Sequence, residues 1–160
     1  MSAALIAAVA IVVLIAIAWY DFCHLRIRNT AVLTLIGLYL VFALATGFEF
    51  FLSDLVAGGV LFGLGFLLWM LGLMGAGDAK LYLPVGLFAG FDGLLPYAVL
   101  VLLASGLFFA VIVIGSIILK GRFLIGRRLQ EIRISRKIPY SVPMATAVSV
   151  VLCFRVSFMI

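Results

Sequence analysis

Charge is what this sequence has least of. Only 11% of its 160 residues are Asp, Glu, Lys or Arg, where a soluble domain carries about 25%. That scarcity excludes an ordinary water-soluble globule and a disordered segment, both of which depend on charge for solvation. Cysteine is almost missing as well. Cys23 and Cys153 are the only two, which rules out a disulfide scaffold and a four-cysteine zinc site, and they share no CxxC spacing. Before the first polar residues, Met1 to Ala18 lack the basic region that opens a secretory signal peptide, and no cleavage-site pattern follows. The first apolar run therefore reads as a retained span.

What fills the chain is apolar: 68% of the residues are hydrophobic. At about 20 residues per crossing, the length accommodates six transmembrane helices in one integral-membrane domain over 1–160. The expected spans are Ala3 to Tyr20, Thr30 to Gly47, Leu55 to Met74, Leu81 to Phe91 (short, with room to extend back through Asp78), Tyr97 to Leu119 and Pro139 to Ile160. The third is rich in glycine (Gly58, Gly59, Gly63, Gly65, Gly72). Small residues let membrane helices approach closely, which predicts a place for it inside the bundle. Between the fifth and sixth spans, Lys120 to Lys137 alternate charged and apolar residues, the pattern of a short amphipathic helix on the membrane surface.

The net charge of +5 could suggest nucleic acid, but the basic residues flank apolar spans and no soluble domain is there to hold a duplex. Their distribution fits membrane topology instead. Arg26, Arg28, Lys80, Lys120, Arg122, Arg127, Arg128, Arg133, Arg136 and Lys137 all fall in the first, third and fifth connections. The second and fourth carry Glu49, Asp54 and Asp92 and no Lys or Arg. By the positive-inside rule the basic side is cytoplasmic, and both termini face outward. Arg155 is the misfit; it lies near the outer end of the last span, within snorkelling reach of the surface.

Topology also sorts the acids. Glu49, Asp54 and Asp92 read as solvated loop charges, and Glu131 as an ion-pair partner on a helix surface. Asp21 and Asp78 stand apart, each at the cytoplasmic end of an apolar span. Asp21 opposes the helix dipole, which favours cations at a C-terminus. Asp78 follows Gly75 and Gly77, which remove side chains and permit unwound backbone beside the carboxyl; an extended substrate peptide pairs with such free groups. Two carboxyls facing each other across a partly dry cavity share a proton. That arrangement suits aspartyl-protease chemistry, with one member activating water and the other polarising a carbonyl, and equally suits a proton relay in a transporter. Cys23 and His24 beside Asp21 have no third orienting group and read as a buried thiol and a boundary histidine.

Three segments carry a resemblance. Asp21 followed by Arg26-Ile27-x-Asn29 looks like the D…(R)IPN motif of type IV prepilin peptidases, Gly75-Ala76-Gly77-Asp78-Ala79-Lys80-Leu81 resembles their GxGDxKL motif, and Ile138-Pro139-Tyr140-Ser141-Val142-Pro143-Met144-Ala145 is similar to their IPYGxxxA segment. They occur in the family's order, at the cytoplasmic ends of the first, fourth and sixth spans. The resemblance implies a GxGD-type intramembrane aspartyl peptidase of the bacterial inner membrane that cuts leaders from prepilin or pseudopilin precursors, with Asp21 and Asp78 as the catalytic pair. Gly75 and Gly77 then shape the loop before the second aspartate, and Lys80 and Asn29 support the site; no metal or cofactor is implied. Arg28 replaces the family's proline and Ser141 its glycine. The paired CxxC motifs of the bifunctional leader peptidase/methyltransferases are absent, so the chain looks like the short Flp/Tad-serving class (CpaA/TadV-like). Beyond the precursor, the expected partner is anionic lipid at Lys120 to Lys137. The alternatives are a transporter component using the same aspartates and a silent scaffold of a pilus or secretion machine.

Overall fold

A computed structural model of the chain describes residues 3–118 and 139–159. Those residues form six α-helices and no strand: α1 (Ala3–His24), α2 (Asn29–Ala45), α3 (Phe51–Met70), α4 (Ala76–Ala89), α5 (Leu94–Ile118) and α6 (Ser141–Met159). Four of them, α1, α3, α5 and α6, are long and apolar enough to cross a membrane, and α2 is a shorter apolar helix. The protein is an all-α polytopic membrane protein. The amphipathic helix expected over Lys120 to Lys137 lies outside the described residues.

Sequence punctuates the helices at defined places. Leu25 adopts a left-handed φ of 51° and its N–H donates to the Asp21 carbonyl at 2.7 Å, which ends α1 at His24, within a turn of the aspartate. Gly47 and Gly72, with φ of 68° and 72°, close α2 and α3. In both, the glycine N–H bonds three residues back (Leu44, Trp69) and the next N–H bonds five back (Ala43, Leu68), the Schellman pairing that satisfies terminal carbonyls.

The central helix is α4, the shortest. Ten of its 14 residues are buried: Asp78, Ala79, Leu81, Tyr82 and the run Pro84 to Ala89. It lies in close contact with α3 through small residues. A Cβ on Gly86 would sit 2.7 Å from the Ala57 carbonyl oxygen and the Gly58 Cα, and one on Gly65 would sit 2.9 Å from the Tyr82 ring. The expectation that α3 sits inside the bundle is corrected by this geometry. Gly59, Gly63 and Gly72 face open space, and Leu55, Val56, Val60, Leu64 and Leu67 are exposed. Only one stripe of α3 is packed; its small residues admit α4, and the rest of its surface suits acyl chains. Helix α5 is more peripheral still, with Tyr97, Ile112 and Ser116 its buried residues. Side chains such as Val12, Trp19, Leu33, Leu102 and Phe154 stand outward, an arrangement that only a hydrocarbon solvent tolerates over so much surface.

Consecutive helices run antiparallel. The end of α1 and the starts of α2, α4 and α6 gather at one end of the bundle, where Ser141 meets Asp21. The starts of α3 and α5 and the ends of α4 and α6 gather at the other, where Arg155 meets Asp54.

Candidate active site

Asp21, in the last turn of α1, and Asp78, in the first turn of α4, line one cavity of about 230 Å³ together with Leu25, Arg26, Ile27, Gly75, Ala76, Gly77 and Lys80. Both aspartates are buried, at 5% and 8% exposure. The structure thus brings the two sequence-selected carboxyls to a shared void, although 57 positions separate their motifs (78 minus 21). Their surroundings differ. The Ser141 hydroxyl donates to Asp21 Oδ2 at 2.6 Å, and the main-chain N–H of Ser141 is directed at the Asp78 carboxyl. Asp78 Oδ1 is buried with no hydrogen-bond partner among the described residues. Buried carboxyl oxygens are nearly always bonded, so an unpartnered one beside a cavity is positioned for water or substrate.

The glycines act by clearance. Helix α4 begins at Ala76 with Gly75 as its N-cap in extended backbone (φ −70°, ψ 144°), and Gly77 is helical. Of the glycine pair that permits unwound backbone, only Gly75 lies outside the helix. A Cβ on Gly75 would sit 3.0 Å from Asp78 Oδ2, and one on Gly77 would sit 3.2 Å from Ile27 Cβ. Glycine at 75 gives the carboxyl room, and glycine at 77 lets the α1–α2 connection close over the start of α4.

Lys80 donates to Asn29 Oδ1 at 3.2 Å, joining the second motif to the first at an exposed position. Arg28, where the family pattern has proline, is the N-cap of α2 with φ −79° and ψ 140°, a backbone close to proline's own; its guanidinium lies 5.8 Å from the Tyr20 ring centre. His24 bonds the Tyr20 carbonyl through Nδ1 at 3.0 Å and stacks on the Tyr20 ring. Cys23 is exposed, and not the small buried thiol expected. The two form no nucleophilic pair with each other.

Sequence reasoning missed the opposite end of the bundle. Asp54 is not a solvated loop charge: α3 starts at Phe51, and Asp54 is 3% exposed within its first turn. The guanidinium of Arg155 reaches both its oxygens, at 2.8 and 2.7 Å, and donates also to the carbonyls of Leu87 and Phe88. Tyr39 donates to Asp54 Oδ2 at 2.9 Å. Arg155 thus turns inward, away from the expected snorkel. The one sequence signal was that both residues were charges without partners near the same membrane side. A larger cavity of about 540 Å³ adjoins this cluster, lined mainly by apolar residues such as Phe50, Phe91, Leu100 and Phe154. Its buried charges, Asp54 and Arg155, are paired with each other, and its third, Asp92, is exposed, so the smaller cavity at Asp21 and Asp78 is the better candidate for chemistry. No cluster of His, Cys, Asp and Glu suited to a metal occurs among the described residues.

The sequence profile of the type IV leader peptidase family matches residues 8–118, a stretch that contains Asp21, Asn29, the two loop glycines, Asp78 and Lys80. No curated protein and no solved structure matches the chain. With a profile that covers well over half of its length, the chain belongs to the type IV leader peptidase family.

Proposed function

We propose that this peptidase is an intramembrane aspartyl endopeptidase that removes the leader of a type IV prepilin or pseudopilin at the cytoplasmic face of the bacterial inner membrane. The observation that carries the reading is the shared cavity: Asp21 and Asp78 are buried side by side where α1, α4 and α6 meet. One carboxylate takes a proton from water as the resulting hydroxide adds to the scissile carbonyl. The other, protonated, donates to that carbonyl oxygen, and the proton then passes to the leaving amine as the C–N bond breaks. Lys80 and Asn29 brace the wall of the cavity, and Gly75 and Gly77 keep it open.

The side assignment rests on charge distribution. Arg26 and Arg28 of the α1–α2 connection and Lys80 of α4 stand at the aspartate end, and the basic run Lys120 to Lys137 links α5 to α6 in sequence, so that end is cytoplasmic and both termini are outside. A precursor with a short leader and an apolar helix reaches the site laterally, its helix in the bilayer and its leader in the cytoplasm. The basic run contacts anionic lipid in preference to the leader. The lack of CxxC pairs in the sequence supports the reading of a Flp/Tad-serving peptidase that does not methylate.

The test is leader removal from a purified prepilin by wild type, Asp21→Asn and Asp78→Asn in detergent. Cleavage by wild type alone is expected. A wild type that cuts no pilin precursor, or variants that cut as fast as wild type, would overturn the proposal.

A further inference from the structure

The two aspartates are not equivalent, and the residue that makes them differ is Ser141. It is the first residue of α6, fully buried at 0% exposure, 120 positions from Asp21 in sequence. Its hydroxyl-to-carboxyl distance of 2.6 Å falls in the range of bonds donated to an ionised oxygen, about 2.5–2.7 Å. A first-turn N–H has no partner within its own helix, and that of Ser141 is directed at Asp78. One residue therefore stands beside both members of the pair. Its hydroxyl is given to Asp21, while Asp78 keeps a buried oxygen, Oδ1, without a partner among the described residues. An ionised oxygen in that position is costly, and a protonated carboxyl tolerates it.

We infer that Ser141 is a positioning residue of the pair: its hydroxyl holds Asp21 as the charged member that activates water, leaving Asp78 to carry the shared proton. The inference rests on the proteolytic reading above for its consequence in catalysis, but the charge assignment stands on the geometry alone. Other charged or titratable groups of the described residues face the same space: Arg26 from the α1–α2 connection and Lys80 from α4 line the cavity, and Tyr82 stands near Asp78, with Tyr140 near Tyr82. None of their contacts is made by the serine hydroxyl, so its removal isolates one donor. Glycine, the residue the family pattern has here, removes it without adding volume.

The experiment uses the full-length protein in detergent and compares wild type with Ser141→Gly, Ser141→Ala and Ser141→Thr. Loss of a donor to an ionised carboxyl makes that carboxyl harder to ionise. The acid limb of the kcat profile for prepilin cleavage is therefore expected to move toward neutral pH by about one unit in the Gly and Ala variants, with the plateau rate largely kept and the Thr variant restoring the limb. A parallel infrared titration follows the protonated-carboxyl band that Asp21→Asn removes; its midpoint should rise in the same two variants. A uniform loss of rate with an unmoved limb and an unmoved infrared midpoint would show a merely structural serine and overturn the inference. If wild type cuts no precursor, the proteolytic reading fails by itself, and the infrared midpoint still decides for or against the role of Ser141.

Discussion

The two ends of the helix bundle each bury acid, and they treat its charge differently. At one end, Asp54 takes both of its Arg155 bonds from one guanidinium nitrogen, Nη2, and a third from a tyrosine hydroxyl, while Nη1 of the same arginine donates to main-chain carbonyls. Both oxygens of that buried acid are answered. At the other end, Asp21 and Asp78 line a cavity, Ser141 bonds Asp21, and Asp78 Oδ1 has no partner among the described residues. Burial alone thus does not mark a reactive carboxyl, since Asp54 is the most buried of the three. The mark is a carboxyl whose bonding is left incomplete toward a space that a substrate can fill.

The comparison can be broken most forcefully by neutralising each acid. Asp21→Asn and Asp78→Asn should each lower leader cleavage by about a thousandfold or more while thermal unfolding in detergent stays close to wild type. Arg155→Ala should do the reverse. It strands a buried carboxylate, and loss of one partner of such a pair costs about 3–5 kcal/mol. The unfolding transition should fall steeply, while the fraction that remains folded keeps its KM. An Asp54→Asn/Arg155→Gln double variant should lose less than Arg155→Ala alone. Similar profiles for variants at the two ends would dissolve the distinction.

Between the two ends runs α4, and it offers a finer test. Gly86→Ala places a Cβ 2.7 Å from the Ala57 carbonyl oxygen, against backbone that has little room to yield. Overpacking of this kind costs about 1–3 kcal/mol. Stability and cleavage rate should fall together here, because the same helix carries Asp78 and the carbonyls that Arg155 binds. The smallest expected effect is at Lys80→Ala. It removes one exposed hydrogen bond to Asn29, should cost no more than about 0.5–1.5 kcal/mol of stability, and should raise KM for a precursor several-fold. A Lys80→Ala variant as inactive as the aspartate variants would show that the lysine acts on the reacting groups directly.

The sequence announced the aspartate end far better than the arginine end, for a physical reason. Asp21 and Asp78 sit in short patterns whose glycines, asparagine and lysine are local requirements of the site, so neighbouring residues advertise it. Asp54 and Arg155 are joined only by folding, across 101 positions, and nothing adjacent to either one depends on the pairing. Their charges looked like a loop acid and a misplaced cation because the helix boundary at Phe51 lies before Asp54 rather than after it. The glycines of α3 had a similar ambiguity. Composition indicates close approach but not direction, and only Gly58 and Gly65 of that group meet α4. Ser141 was visible only as a departure from a glycine; its bond to Asp21 spans the whole fold. The six helices, by contrast, were legible as apolar segments, since apolar length is a property of single segments, although Gly72 closes α3 rather than lying within it.

The pairing of Asp54 with Arg155 also has a consequence for how the chain is made. Helix α3 leaves the ribosome long before α6, so Asp54 must wait in a growing bundle while its cation has yet to be synthesised. Among the described residues, only the Tyr39 hydroxyl is there to meet it during that interval. Closure of the arginine end therefore waits for α6. Ser141 arrives on that same helix, so the contacts at both ends of the bundle depend on the docking of one element.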